Sequence, residues 1–390
     1  MPRSQGNTAR ALMVGVAACT LSVIVTGCAV GSNGASSAPI SIQRGYIVDA
    51  TTAWQKLNTV AYRGKQDDIS FVDDKTGWYG NGAGKLYRTT DGGNSWQEQL
   101  SKPGTFVRTV GFVDAQRGFM GNVGTDYYPG VTDTNPLYET RDGGVTWSVV
   151  PQSRISGPLV KGLCAIDILK KQSIYQGVLQ DRTIIHAAGR VGGPGFVMRS
   201  LDGGESWKVL DLNQQVGPIL DIKFFDENNG LVFAGTDANV EKSNALILQT
   251  RDGGATWKKV YQSTRPYENT WKASFPTRKT GYVTVQSYDP DKSASKRVVA
   301  KTTDGGNTWS EIPLVDEHAV RQFGIAFADE QTGWVGTSTT GFQTVDGGVT
   351  WSRVNMGRAV NKIRLIPTAD GLVGYAIGVD VHKLVVAKRK

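Results

Sequence analysis

The chain has 390 residues, of which 48 are glycine and 10 are tryptophan, and its formal net charge is +8. This composition, with no long helical periodicity, favours many short strands joined by tight turns. Five positive charges lie on Arg3, Arg10 and the run Lys388-Arg389-Lys390, and no stripe of basic and aromatic residues is present, so a nucleic-acid partner is not expected. The three cysteines and three histidines have neither disulfide-framework nor zinc-site spacing, and no metal or other cofactor is predicted.

The N-terminal segment is predicted to direct export. An apolar run, Ala11–Val25, follows two arginines and is too short to span a bilayer comfortably. A glycine then precedes Cys28, and this pair resembles the lipobox of bacterial lipoproteins. We therefore expect residues 1–27 to be a signal peptide, Cys28 to be lipidated and residues 28–45 to be a flexible tether. The protein would be held by this lipid at the periplasmic or lumenal face of a membrane; an ordinary cleaved secretory signal is the alternative.

One octapeptide, Ser/Thr-x-Asp-Gly-Gly-x-Ser/Thr-Trp, occurs six times and is identified as the Asp box, the bacterial neuraminidase repeat. It predicts a hairpin turn in which the aspartate accepts backbone hydrogen bonds, the glycines adopt positive φ and the tryptophan begins the next strand. Six copies spread along the chain indicate a structural role and not a catalytic or metal site. The residues concerned are Asp91, Asp142, Asp202, Asp252, Asp304 and Asp346, with Trp96, Trp147, Trp207, Trp257, Trp309 and Trp351.

The octapeptides recur every 42 to 60 residues, near the length of a four-stranded propeller blade. A second motif, an alternating apolar run followed by an aspartate turn and a glycine, recurs before them and predicts an inner strand. Its last copy, around Ile363, has no octapeptide after it. The strand 51–57, which contains Trp54, is therefore predicted to complete the last blade against the C-terminal strands. The sequence thus predicts an all-β, seven-bladed β-propeller over residues 46–390.

Recognition is expected on the face away from the octapeptides, where the loops are long and irregular. These loops span residues 122–136, 190–195, 235–244 and 286–297, whereas residues 170–183 are predicted as an extended turn on the octapeptide face. Aligning the inner strands gives candidate binding residues at the channel mouth, Arg108, Trp271, Lys272, Arg321, Phe323 and Lys362, and on adjoining loops, Arg154, Arg190, Arg265 and Arg358. A mixed, somewhat basic funnel suits an acidic peptide or a glycan; a solvated rim of charged loop tips is the alternative.

The octapeptide combined with Phe-x-Asp-x-x-x-Gly-Trp, as at Phe71–Trp78, resembles the photosystem II assembly (stability) factor family over about residues 50–390. The resemblance implies a seven-bladed lipoprotein that is not an enzyme. Members of that family are chaperone-like scaffolds that bind a new reaction-centre subunit on the lumenal side of the membrane, through an arginine-rich patch. It therefore predicts a monomeric, non-catalytic scaffold for an exported or membrane protein.

A glycoside hydrolase is the rival class, because sialidases and xyloglucanases also carry Asp boxes. The early Arg-Ile-Pro motif of sialidases is absent, since Arg44 is followed by Gly45. Glycosidases place two carboxyl groups across the scissile bond. Asp67 or Asp68 with Asp221 is the only such combination that the strand alignment brings to the channel. Cys164 is expected to be a small core residue and not a nucleophile.

Overall fold

The computed structural model describes residues 46–48, 52–175 and 178–388. The predicted signal peptide 1–27, Cys28 and the tether 28–45 lie outside the described residues. In the part of the chain that is described, no helix combines the length and apolarity needed to cross a membrane.

The described residues form 30 strands and one short 3-10 helix, in the following chain order. Two short strands come first, β1 (Tyr46–Ile47) and β2 (Gln55–Lys56). Sheet 1 contains β3 (Gln66–Phe71), β4 (Gly77–Asn81), β5 (Lys85–Thr89) and β6 (Gln97–Ser101), and sheet 2 contains β7 (Val107–Phe112), β8 (Gly118–Asn122), β9 (Leu137–Thr140) and β10 (Ser148–Val149). The 3-10 helix Gln152–Arg154 follows. Sheet 3 contains β11 (Ile155–Ser156), β12 (Ala165–Tyr175), β13 (Val178–Gly189), β14 (Phe196–Ser200) and β15 (Trp207–Asp211).

The second half of the chain continues the pattern. Sheet 4 contains β16 (Ile219–Phe224), β17 (Gly230–Gly235), β18 (Ala245–Thr250) and β19 (Lys258–Gln262), and sheet 5 contains β20 (Glu268–Ser274), β21 (Gly281–Ser287), β22 (Lys296–Thr302) and β23 (Ser310–Asp316). Sheet 6 contains β24 (Gln322–Phe327), β25 (Gly333–Thr337), β26 (Gly341–Thr344) and β27 (Ser352–Val354), and sheet 7 contains β28 (Lys362–Pro367), β29 (Gly371–Ile377) and β30 (Val381–Lys388) together with β1 and β2.

The first long strand of each sheet lies beside its counterpart in the next sheet. The strands β3, β7, β12, β16, β20, β24 and β28 contact one another in this order, and β28 also contacts β3. We use the name channel for the space between these seven inner strands. Within each sheet the strands run antiparallel, apart from β11, which pairs with β15 in parallel.

The N-terminal strands cover the outer edge of sheet 7. Both β1 and β2 pair with β30, through Tyr46 opposite Lys388 and Gln55 opposite Lys383. Trp54, directly before β2, is buried and contacts Trp334 edge to face at 6.0 Å. The predicted pairing of the chain ends is present, but the strand is Gln55–Lys56 and not 51–57, and β1 is an additional strand that the sequence analysis missed. The edge of β30 is thereby supplied with backbone partners.

The octapeptide turns have the geometry that their sequence predicts. In the last copy, Asp346 Oδ1 accepts hydrogen bonds from Thr344 Oγ1 at 2.8 Å and from the Thr350 amide at 2.9 Å, and Oδ2 accepts one from Thr350 Oγ1 at 2.5 Å. Gly347 and Gly348 have φ of 74° and 90°. Burial opposes ionisation, but these donors together outweigh it and lower the pKa of Asp346 to about 2. The carboxylate thus accepts these hydrogen bonds from residues of its own turn.

The turns also connect neighbouring sheets, which the sequence analysis did not anticipate. The carbonyl of the first glycine accepts a hydrogen bond from a side chain of the preceding sheet, as in Trp78 Nε1 to Gly143 at 2.9 Å and Tyr375 Oη to Gly92 at 2.7 Å. The same contact is made by Arg117 to Gly203, Arg199 to Gly253 and Lys301 to Gly347. The backbone of each of these turns is therefore a contact between sheets.

Sheet 3 carries a longer hairpin than the sequence predicted. The pairing of β12 with β13 continues from Ala165 opposite Ala188 to Tyr175 opposite Val178. Residues 170–175 and 178–183 are therefore strand and not an extended turn. Because β14 pairs only with Ile185–Gly189 of β13, the outer part of this hairpin extends beyond the rest of the sheet.

Between sheets 3 and 4, a histidine takes the place of a core aromatic residue. His186 is fully buried and stacks on Phe224, with ring centroids 3.5 Å apart. Trp78 on Phe112 and Tyr282 on Phe327 form the same stack between other sheets. Neither ring nitrogen of His186 has a hydrogen-bond partner among the described residues. Burial, assisted by the nearby arginine and lysine charges, lowers the pKa of His186 to about 3.

This histidine predicts a loss of stability in acid. Below its ordinary pKa of 6.5, the unfolded chain binds a proton that the folded protein takes up only near pH 3, so stability falls as the pH drops through this window. Between pH 6.5 and 4.5 we expect His186 to contribute a loss of roughly 2–3 kcal/mol in the free energy of unfolding. Urea unfolding at several pH values measures it. His186→Phe, which keeps the stack, should remove this component, and an unchanged pH slope in that variant would refute the assignment.

Candidate functional site

The charged residues predicted at the channel mouth lie together, but inside the channel. The residues Asp67, Asp68, Arg108, Asp221, Lys272 and Lys362 are each at most 7% exposed, and Trp271 and Phe323 are also buried. The predicted position at the open channel mouth is therefore wrong for these eight residues. The physical reason is that their charges and rings meet partners across the channel, which a single strand does not reveal.

β-Bulges reorient five of these eight residues, whereas Asp68, Asp221 and Lys362 are paired in register. The register of β3 with β4 skips Asp67, and that of β7 with β8 skips Arg108. The same irregularity skips Leu220 in β16, Trp271 and Lys272 in β20, and Phe323 and Gly324 in β24. An extra residue on one strand reorients its side chain out of the regular alternation. Residues at equivalent positions of five inner strands therefore contribute side chains to the channel.

The layer of the channel nearest the long loops, which we call the upper layer, is an ion cluster around Asp67. Arg108 Nη1 and Lys65 Nζ each donate to Asp67 Oδ1 at 2.7 Å. The Arg108 guanidinium also lies 5.3 Å from the ring centroid of Trp271. Burial alone would lower the pKa of Arg108, but the Asp67 charge outweighs it and the pKa is raised. This arginine is held as a cation by its neighbours and is 1% exposed, while its Nε and Nη2 have no hydrogen-bond partner among the described residues.

Asn361 connects this layer to the opposite side of the channel and was missed by the sequence analysis. Its side-chain oxygen accepts a hydrogen bond from Trp271 Nε1 at 3.1 Å, and its side-chain nitrogen donates to the Asp67 carbonyl at 2.7 Å. Its position directly before Lys362, at the start of an inner strand, was the available signal.

The lower layer of the channel contains the other two carboxylates. Asp68 Oδ2 accepts from Thr109 Oγ1 at 2.7 Å, and Asp221 Oδ2 accepts from the Ala273 amide at 3.0 Å. The Lys362 ammonium lies 3.6 Å from Asp68 Oδ1 and 3.8 Å from Asp221 Oδ1. Lys272 Nζ donates to the Leu220 carbonyl at 2.7 Å.

These carboxylates are poor general acids. Burial raises the pKa of Asp68 and of Asp221, but the cations Lys362, Lys272 and Arg364 outweigh it and hold both pKa values below the ordinary range. A glycosidase acid needs a raised pKa and contact with substrate. The structure brings Asp68 and Asp221 together, as the glycoside-hydrolase alternative requires, but both carboxylates belong to the ion network inside the channel.

An apolar cluster closes the end of the channel that faces the long loops. It consists of Phe106, Val123, Cys164, Val191, Leu220, Trp271 and Phe323, with Tyr128 and Val131 against it. The Cys164 sulfur is buried in this cluster and accepts a hydrogen bond from the Val191 amide at 3.2 Å, which agrees with its predicted core position.

An open groove lies above this cluster. It has a volume of about 430 Å³, and its lining includes Tyr62, Lys65, Pro103, Phe106, Tyr128 and Val131. Tyr128, from the long loop 122–136, stacks on Phe106 at 4.7 Å, and the adjacent Tyr127 is 46% exposed. We call this side of the molecule the loop face, and the side with the octapeptides the turn face. The groove is an aromatic surface that another chain can reach.

Exposed arginines continue from the groove around the loop face. The Ser338 amide donates to the Arg321 carbonyl, and the Ala359 amide donates to the Ser338 carbonyl. The Val379 amide then bonds the Arg358 carbonyl, and the Tyr62 amide bonds the Val379 carbonyl. Arg321 and Arg358 are both exposed, so they form a basic rim that leads to Tyr62 in the groove.

The other three predicted arginines have different positions. Arg154 bonds the Glu205 carbonyl at 2.7 Å and Glu139 at 2.5 Å, so it lies at the octapeptide turn of sheet 3 and not on the loop face. Arg190 is buried and donates to the Gly193 and Thr125 carbonyls, where it joins two loops.

Arg265 is half-exposed and bonds Glu268 at 2.6 Å and Glu311 at 2.8 Å. Its charge is thus already paired within the protein.

Over the described ranges, no group of three or more His, Cys, Asp or Glu residues has an arrangement that could hold a metal ion.

Comparison with known sequences gives two different kinds of relative. No family model matches the chain. The xyloglucanase Xgh74A of Acetivibrio thermocellus is 28% identical over 216 residues, which are 47% of this chain and 23% of that enzyme. The photosystem II assembly lipoprotein Ycf48 of Prochlorococcus marinus is 41% identical over 59 residues, 15% of each chain. The matched segments therefore span less than a quarter of either relative.

Solved structures match over most of the chain. Ycf48 bound to a D1 peptide is 18% identical with a TM-score of 0.59, and the match covers 89% of this chain and 99% of that one. The WD40 β-propeller domain of Doa1 is 10% identical with a TM-score of 0.54, and the match covers 87% and 98%. At such identities the likeness establishes the fold alone. The chain is therefore an all-β protein with the β-propeller fold that resembles the photosystem II assembly factor Ycf48.

Proposed function

We propose that this protein is a non-catalytic binding scaffold, a closed ring of seven blades that engages an extended segment of an exported or membrane protein through its loop face. The seven sheets, the contact of β28 with β3 and the pairing of β1 and β2 with β30 support the closed ring. Lipid on Cys28 would hold this monomer at the periplasmic or lumenal membrane surface.

One observation carries the proposal: the channel carboxylates are buried beside internal cations, whereas the loop face presents an aromatic groove bordered by arginines without carboxylate partners. Within the described residues, neither Arg321 nor Arg358 has a carboxylate partner, although Arg321 stacks over Tyr288 at 4.4 Å. Aromatic and arginine side chains are the groups that most often supply binding energy in protein recognition. The structure of Ycf48 with a D1 peptide provides a precedent for peptide binding on a related propeller.

The basic rim predicts a partner segment with acidic residues. We expect the double variant Arg321→Glu/Arg358→Glu to reduce partner capture about tenfold, because rim charges of the wrong sign slow association. A photo-crosslinking residue placed at Tyr127, in cells of the source organism, measures the captured adduct. Lys258→Glu, an exposed charge change on β19, is the matched control and should capture normally. Equal capture by the rim variant and this control would reject the loop-face assignment.

A glycan-cleaving propeller is the second candidate, favoured by the xyloglucanase match. This candidate is tested by incubating the purified protein with xyloglucan and with a panel of sialosides. We expect no sugar release, because Asp68 and Asp221 lie within the internal ion network. Hydrolysis that Asp68→Asn or Asp221→Asn abolishes would instead establish the enzyme.

A further inference from the structure

A second pocket opens at the other end of the channel, on the turn face. It has a volume of about 220 Å³ and lies where the inner strands end. Its charged lining consists of Asp167, Asp221, Lys223, Lys362 and Arg364. The apolar cluster at the loop-face end lies at the opposite end of the channel, so this pocket is distinct from the groove of the proposed function.

Lys362 has unused hydrogen-bonding capacity in this pocket. The residue is 93% buried, at 7% exposure, and its ammonium carries three donors. The nearest carboxylate oxygens, 3.6 and 3.8 Å away, are beyond normal hydrogen-bond length. Among the hydrogen bonds of the described residues, none involves the Lys362 ammonium, which lines the pocket. A largely buried lysine whose donors open into a pocket favours an oxygen atom that reaches them.

Three cationic side chains line this pocket. Lys223, Lys362 and Arg364 lie there together with the carboxylates Asp167 and Asp221. Lys223 pairs with Asp167, with 3.0 Å between Nζ and Oδ1. Behind the lining, burial lowers the pKa of Lys272 to about 7, so its charge is only partly present at neutral pH. The positive potential that an anion meets in the pocket therefore comes chiefly from Lys362 and Arg364.

We propose that the turn-face pocket binds a small oxyanion, a carboxylate or phosphate group, whose oxygens accept hydrogen bonds from the Lys362 ammonium. Arg364 lines the pocket beside Lys362 and supplies a second cation, and Lys223, which is partly exposed at the mouth and paired with Asp167, supplies a third. Charge-assisted hydrogen bonds of this type are the strong ones. This site is independent of the loop-face partner.

The test titrates the full-length protein with sodium phosphate or sodium acetate, with sodium chloride at equal ionic strength as the reference. We expect a saturable rise of Tm with at least one oxyanion and none with chloride, because a ligand of the native state shifts the unfolding equilibrium. Calorimetric titration gives the affinity, and whichever of the two anions binds identifies the class of group.

Two variants locate the anion. Lys362→Met, which keeps the length and apolar stem of the side chain, should weaken binding by at least about tenfold, and Lys223→Gln by a few fold. Lys223→Gln removes a partly exposed charge and keeps the test valid if Lys362→Met does not fold. Lys258→Gln, remote from the pocket on β19, is the matched control. Absence of saturable binding, or equal binding by Lys223→Gln and the control, would overturn the proposal.

Discussion

Arg108→Met is expected to lower the free energy of unfolding by about 3–5 kcal/mol, because it leaves a buried carboxylate without its main partner. Arg108 is 1% exposed, and its guanidinium donates to Asp67 at 2.7 Å. The variant also removes the cation that lies over the ring of Trp271. Urea unfolding of the purified protein, followed by tryptophan fluorescence, measures the change.

The double variant Asp67→Asn/Arg108→Met is the control for this prediction. It removes both charges, and replacing a whole buried pair costs much less than breaking it. We therefore expect the double variant to recover most of the lost stability, with Lys65, at 18% side-chain exposure, left to solvent. A loss below about 1 kcal/mol in the single variant would show that the Asp67 cluster is solvated and open to ligands.

Trp54→Ala is expected to cost about 3–5 kcal/mol, as for other buried tryptophans that are truncated. The ring of Trp54 lies against Trp334 and belongs to the core cluster that contains Leu372, Leu384 and Val386. Because it precedes β2, its loss should also release the N-terminal strands from β30. Denaturation gives the free energy, and the rate of limited proteolysis within residues 46–57 reports the release.

Val60→Ala provides the comparison for Trp54. Val60 is also in the N-terminal segment but is 65% exposed, so its truncation should change stability by less than about 0.5 kcal/mol. If Trp54→Ala were equally mild, or if proteolysis did not accelerate, closure of sheet 7 by the N-terminal strands would not stabilise the ring.

The local elements of this protein could be predicted because their causes lie within a few residues. An aspartate, two glycines and two hydroxyl residues form each octapeptide turn by contacts no more than four residues apart, as at Asp346. The alternating apolar residues of the inner strands and the pairing of the chain ends follow from repetition of this unit along the chain.

The candidate site depended on longer separations. Asp67 meets Arg108 from 41 residues away, and its carbonyl meets Asn361 from 294 residues away. Bulges in five inner strands, which the sequence does not indicate, displace residues such as Asp67, Arg108 and Trp271 from the regular alternation. The alignment thus grouped the right residues but placed them at the open mouth of the channel and not in its interior.

The sequence by itself determined the repeating unit and the all-β class, since hydrogen bonds within one turn and the alternation along one strand are properties of neighbouring residues. Only the tertiary structure decided which charges neutralise each other, that an apolar cluster closes the loop-face end, and that Lys362 keeps free donors at the other end. The physical reason is that the pairing and burial of a charge depend on what the surrounding inner strands place opposite it.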